Sequence, residues 1–190
     1  MESLQNQFLL AMPGLSDPYF KRSVVYVCEH NDEGAMGLVI NIPVDLSVEG
    51  LLEQIELPEH QEAEEDERDS LDKPVYQGGP MARERGFVLH SPKPGFNSSM
   101  QLSSELMITT SKDVLETLGT GSEPNDYLVT LGYAGWGAGQ LEQEIADNSW
   151  LTLPATTDII FDVPSHQRWE AAAKHLGIDI WQLSSDAGHA

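Results

Sequence analysis

Cys28-Glu29-His30 places a thiol, a carboxylate and an imidazole in three consecutive positions, the ingredients of a nucleophile with its base. On a regular strand Cys28 and His30 share a face with Cα atoms about 6 to 7 Å apart, while Glu29 points to the other side. A catalytic pair needs hydrogen-bond reach, so this spacing weakens the nucleophile reading and favours a buried structural cysteine with a histidine at a strand end. Adding His90 and Glu142 from elsewhere in the chain completes a candidate acid–base set, His30, Glu29, His90 and Glu142, gathered near a glycine-rich segment at 135–139. Such a set would act by general acid and base catalysis on a small phosphorylated or carboxylated substrate.

That segment, Gly132-Tyr-Ala-Gly-Trp-Gly-Ala-Gly139, lies between a predicted strand and a predicted helix, where a phosphate-cradling loop would sit. Its spacing fails the G-x-G-x-x-G fingerprint, because Glu142 stands where the third glycine belongs, and it lacks the Lys-Ser/Thr of a P-loop. Two readings remain: amides ahead of a helix that cradle an anion, or a turn where backbones approach closely. The histidines show neither HExxH nor Cys/His spacing and the chain has one cysteine, so no metal site and no cofactor motif is predicted. No G-x-S-x-G elbow is present.

The elements that must hold these groups read mostly as strands. Phe8–Met12 and Val24–Cys28 are strand-like, the second apolar enough to be buried on both faces. Asn31-Asp32-Glu33-Gly34 turns it back into Met36–Ile40 as an antiparallel hairpin, with Pro43 as its stop. Ser47 caps a short helix whose Val48, Leu51, Leu52 and Ile55 form one face. Val75–Gln77, Gly86–His90, Leu106–Thr109, Tyr127–Tyr133, Trp150–Leu153 and Ile159–Phe161 read as further strands, with a Pro/Gly/Ser-rich loop over 91–104. Thr110 and Asp113 open a helix with capping-box spacing, Gly139–Asn148 reads as another, and Pro164 starts a last one carrying Trp169, Ala172, Ala173 and Leu176 toward the core. The aromatics Tyr133, Trp136, Trp150, Trp169 and Trp181 read first as core, with partial exposure the alternative for Trp136 among its glycines. Strands outnumber helices without regular alternation, which predicts an α+β fold in one domain over 1–190.

Charge sets the exclusions. Ten basic residues against 31 acidic ones give −21, which disfavours direct binding to nucleic acid or an anionic membrane. Residues 53–72 hold ten acids and one base, so 58–72 is predicted to be a solvated acidic loop and 184–190 a frayed tail. No signal-like or membrane-spanning run occurs, and the single cysteine fits a reducing compartment, which together predict a cytoplasmic protein.

Ala11-Met12-Pro13 with Asp17-Pro18, Arg22–Tyr26, Glu29-His30, Gly34–Asn41, Gly78-Gly79-Pro80, Arg85–His90 and Gly132–Trp136 with Gly139–Glu142 together resemble the bacterial YqgE/AlgH family over nearly the whole chain. The resemblance implies strands that build a small barrel-like or bifurcated, largely antiparallel sheet flanked by helices. It brings no established catalytic mechanism; some members carry a label as regulators of alginate production. The positions it marks are Arg22, Glu29, His30, Asn41, His90, Gln140 and Glu142, with Gly78, Gly79, Gly135 and Trp136 shaping the backbone. They fit either a binding pocket or fold-keeping roles, among them a buried Arg22–Glu29 ion pair. The function expected first is a binding or regulatory protein acting on gene expression through a protein or small-molecule partner; the acid–base enzyme is the alternative.

Overall fold

The computed structural model describes residues 2–13, 20–55 and 69–177; Asp17-Pro18, most of the acidic stretch, Trp181 and the 184–190 tail lie outside them. In chain order the strands are β1 (Gln7–Ala11), β2 (Val24–Asn31), β3 (Gly34–Val39), β4 (Pro43–Ser47), β5 (Pro74–Gln77), β6 (Met81–His90), β7 (Ser99–Gln101), β8 (Met107–Thr109), β9 (Tyr127–Gly137) and β10 (Trp150–Pro154). The helices are α1 (Val48–Gln54), α2 (Asp113–Thr117), α3 (Gln140–Ala146), α4 (Thr157–Phe161) and α5 (Arg168–His175). The α+β expectation holds: one curled, largely antiparallel sheet runs β10-β1-β2-β3-β9-β6-β8-β7, with β4 and β5 on a side branch.

β9 is where the sheet divides. Its first half pairs antiparallel with β6 and parallel with β5 (Tyr76 opposite Thr130), whereas its second half pairs with β3 (Ala35 opposite Trp136). The switch falls at Gly132, which adopts φ +80°. Gly78 and Gly79 cross β9 there so closely that a Cβ on Gly79 would lie 1.9 Å from the Tyr133 carbonyl carbon. No other residue type fits such an approach, so these glycines serve the bifurcation itself.

The curl separates three cores. Inside it, Phe8, Tyr26, Leu38, Phe87 and Leu89 pack with Ile159, Ile160 and Trp169 of α4 and α5, which close one end. Outside, α1 and α2 cover Val75, Val88 and Val129, and α3 lays Leu141 against Val27, Trp136 and Trp150. Each large side chain so removed from water contributes about 1.5 to 3 kcal/mol. Ser47 caps α1 as predicted, its Oγ accepting the Gly50 N–H at 3.1 Å.

Several expectations are corrected. Ile159-Ile160-Phe161 is helix, not strand: both isoleucines are buried side by side, which suits a helix inserted into a cavity and not the alternation of a half-covered strand. The predicted strand ending at Tyr133 continues through Gly137, so the glycine run is sheet and not a phosphate loop. β4 and β7 escape notice in the sequence because one begins at Pro43, tolerated at a strand's first position, and the other is a three-residue polar edge. Asp113 forms no capping box; its carboxylate accepts the Asn97 N–H at 2.7 Å instead. The described end of the acidic stretch is a 3-10 turn, Asp69–Asp72, anchored by the buried Leu71.

Candidate functional site

The alternation assumed for Cys28-Glu29-His30 breaks at a β-bulge. Val27 pairs with Gly37 and Glu29 with Met36, which leaves Cys28 without a partner position. One extra residue reverses the facing of everything after it. Cys28 and Glu29 therefore line the same groove on the inner side of the curl, and His30 turns outward to α3.

There His30 meets Glu142. Its Nδ1 accepts the Leu4 N–H at 2.9 Å, which leaves the ring proton on Nε2 to be donated to the Glu142 carboxylate. That hydrogen bond holds the Glu142 carboxyl below the usual carboxylate range. Nearby, Glu144 accepts the indole N–H groups of Trp136 (3.2 Å) and Trp150 (3.0 Å) and the amide of Gln140 (3.0 Å). Gln140 in turn accepts the Gly137 N–H at 3.0 Å, so an amide that an anion would need is already engaged. Trp136 is buried, not partly exposed, and stacks edge-on against Trp150.

The remaining candidates are dispersed. His90 is fully buried: Nδ1–H donates to the Ser91 carbonyl (2.8 Å), and Nε2 accepts from the Thr109 hydroxyl (2.6 Å), which itself meets Ser99 Oγ at 2.7 Å. Burial pushes its pKa below the ordinary histidine value. Asn41 ties the entry of β2, accepting the Val24 N–H and donating to the Arg22 carbonyl, both at 2.9 Å. Arg22, at φ +56°, lays its guanidinium 5.1 Å from the Trp169 ring centroid. It makes no ion pair with Glu29. Gly135 is exposed, and a Cβ there would touch only the Tyr133 ring at 3.5 Å. The structure thus unites His30 with Glu142 and leaves Glu29 and His90 on other faces.

At the end of the curl away from α4 and α5 the inner core opens. Met36, Phe87, Ile108 and Tyr133 wall a groove of about 540 Å³ with Cys28 and Glu29, and Arg85 and the exposed Met100 stand beside it. The Arg85 guanidinium lies 5.7 Å from the Phe87 ring centroid. Burial, with the Glu29 charge adding to it, pushes the Cys28 thiol well above its usual pKa, so it stays a protonated, unreactive group.

Residues 8–181 match the profile of the AlgH-like family. The chain belongs to the AlgH-like family. The UPF0301 proteins of Vibrio parahaemolyticus and Serratia proteamaculans are each 58% identical to it over 189 residues, spanning 99% of this chain and 100% of theirs. The solution structure of the AlgH protein from Pseudomonas aeruginosa superposes with TM-score 0.78 at 45% identity, over 99% of this chain and 96% of that one. A crystal structure from Corynebacterium diphtheriae, DIP2367, shares the fold at TM-score 0.70 and 19% identity, over 92% and 88%.

In this AlgH-like chain the motifs that carry the likeness divide by role. Gly78, Gly79, Asn41, His90, Gln140 and Trp136 hold the backbone together, and Glu29 alone of the marked polar residues faces the groove. Sequence reading missed Glu144, whose signal was the i, i+4 spacing from Gln140 together with two tryptophans flanking α3. It also missed the groove's apolar walls, which come from β2, β3, β6, β8 and β9 and share no local pattern.

Proposed function

We propose that this protein is a cytoplasmic binding and regulatory protein that takes a small molecule in the groove at the open end of the curled sheet, and influences gene expression through that ligand or a protein partner without touching DNA. One observation carries the reading: His30 and His90 both have their two ring nitrogens committed inside the fold. A histidine acting as general base needs a ring nitrogen free to reach substrate, and neither histidine of the acid–base set has one to offer. The groove, by contrast, has the size and apolar lining of a small-molecule site and contains a thiol kept protonated. Its occupant is an apolar molecule with a carboxylate, which Arg85 would meet at the rim. The charge of −21 argues against direct contact with DNA.

Calorimetry with octanoate as probe tests this. Binding by the wild-type chain, weakened about tenfold (roughly 1.4 kcal/mol) by Arg85→Ala and unchanged by His30→Gln, supports the reading. Turnover of a phosphorylated or carboxylated compound that His30→Gln abolishes would replace it with the enzyme.

A further inference from the structure

Arg168 opens α5 and is only 5% exposed, yet no carboxylate among the described residues pairs with it. Its Nε donates to the Val163 carbonyl at 2.9 Å, its Nη1 donates to the Ile40 carbonyl, and its guanidinium lies 4.9 Å from the Tyr76 ring centroid. Burial lowers its pKa, and the Tyr76 phenol beside it offsets part of that. Two neutral carbonyls and the Tyr76 phenol engage part of its five N–H donors and supply no full counter-charge. An isolated buried cation is costly and is ordinarily paired.

The group that would pair with it has a place to sit. Arg168 lines a cavity of about 350 Å³ on the side of the domain between β5, β9 and α4, and Lys73, Ser165 and His166 line it too. Lys73 Nζ stands 4.4 Å from the Tyr127 ring centroid. Two of the ten Lys and Arg residues in a chain of 31 acids, with a histidine and a hydroxyl, thus converge on one small space. Asp162 also borders it but makes no ion pair with Arg168 or Lys73. Tyr76 and Phe161 provide flat apolar surface alongside the cations.

We propose that this cavity binds a small phosphate monoester with a flat apolar body, its phosphate held by Arg168 and Lys73 and its body against Tyr76 and Phe161. Arg presents a planar fork to phosphate oxygens, and a dianion answers two cations where a carboxylate would answer one. The site is separate from the groove at the open end of the curl, and neither proposal rests on the other.

Amide and arginine-Nε NMR of the full chain, titrated with phenyl phosphate and in parallel with benzoate, tests it. Saturable shifts at Lys73, Tyr76, Ser165 and Arg168, with phenyl phosphate bound several-fold more tightly than benzoate and the Met36 and Met100 methyls unmoved, are expected. Because Arg168 also ties α5 to Ile40, Lys73→Gln is the decisive variant: its side chain is exposed, the fold persists, and affinity for phenyl phosphate falls about five- to tenfold. Equal or tighter binding of benzoate overturns the phosphate assignment. No saturable shift with either probe, or shifts that Lys73→Gln leaves unchanged, overturns the site.

Discussion

His30 and Glu142 are 112 positions apart in sequence and are joined by a hydrogen bond that closes α3 onto the end of β2. Because His30 Nδ1 also accepts the Leu4 N–H, one imidazole fixes three segments: the N-terminal residues, the central strand and the helix. That is the arrangement of a structural clip. Both nitrogens are in use, and the carboxylate is oriented by the ring it binds.

Removing the clip's carboxylate lowers stability in a pH-dependent way. The folded pKa of Glu142 is depressed, so its contribution is present above the ordinary carboxylate value of about 4.3 and is lost as pH falls through the folded value. Urea unfolding of Glu142→Gln at neutral pH shows a loss of about 1 to 2 kcal/mol. The gap between variant and wild type narrows below about pH 4.

His90 behaves with the same sign in a higher window. Its folded pKa is lowered, so the neutral ring contributes stability that is whole above the unfolded value of about 6.5 and declines as pH falls below it toward the folded pKa. His90→Phe costs about 1 to 3 kcal/mol at neutral pH, since the Thr109 hydroxyl loses the ring nitrogen that accepts its proton and the Ser91 carbonyl loses the ring N–H. Its stability then varies less than the wild type's between about pH 6.5 and 5, a comparison that unfolding curves at two pH values make.

The two glycine classes separate by substitution. Gly79→Ala pushes a methyl into the β9 backbone and destabilises by about 3 kcal/mol or more, or prevents folding. Gly135→Ala meets only the edge of the Tyr133 ring and changes the midpoint of thermal unfolding by an amount equivalent to less than about 1 kcal/mol.

Cys28 is inert in the folded chain. A thiol with raised pKa at 2% exposure reacts with a disulfide reagent at pH 8 only as fast as the protein opens. Labelling is slow in buffer and immediate in denaturing urea; rapid labelling of the native protein would mark a reactive site in the groove.

The strands most visible in sequence were those with dense apolar runs. Val24–Cys28 announced a strand buried on both faces, and Ser47 with its spaced apolar residues announced α1, because each signal is local. The bulge at Cys28 was not legible: it arises from the register of β2 against β3, and nothing in Cys28-Glu29-His30 marks it. That single inserted residue sent His30 to the outer face and Glu29 to the inner, and so parted Cys28 from the His30 that simple alternation places on its face. The glycines were legible as close approaches but not as the branch point of the sheet, since Gly79 and Gly132 meet only after β5, β6 and β9 assemble. Arg168 lay in a readable helix, but its burial depends on Ile40 and Tyr76, which are remote in sequence.

The most direct test of a binding rather than a catalytic role is methyl NMR of methionine-labelled protein during titration with octanoate. The groove account predicts saturable shifts at Met36 and Met100, reduced in Arg85→Ala, with the methyl of Met81 unmoved. Shifts absent from Met36 and Met100 at saturating probe, alongside turnover of a phosphorylated or carboxylated compound that depends on His30, would contradict it.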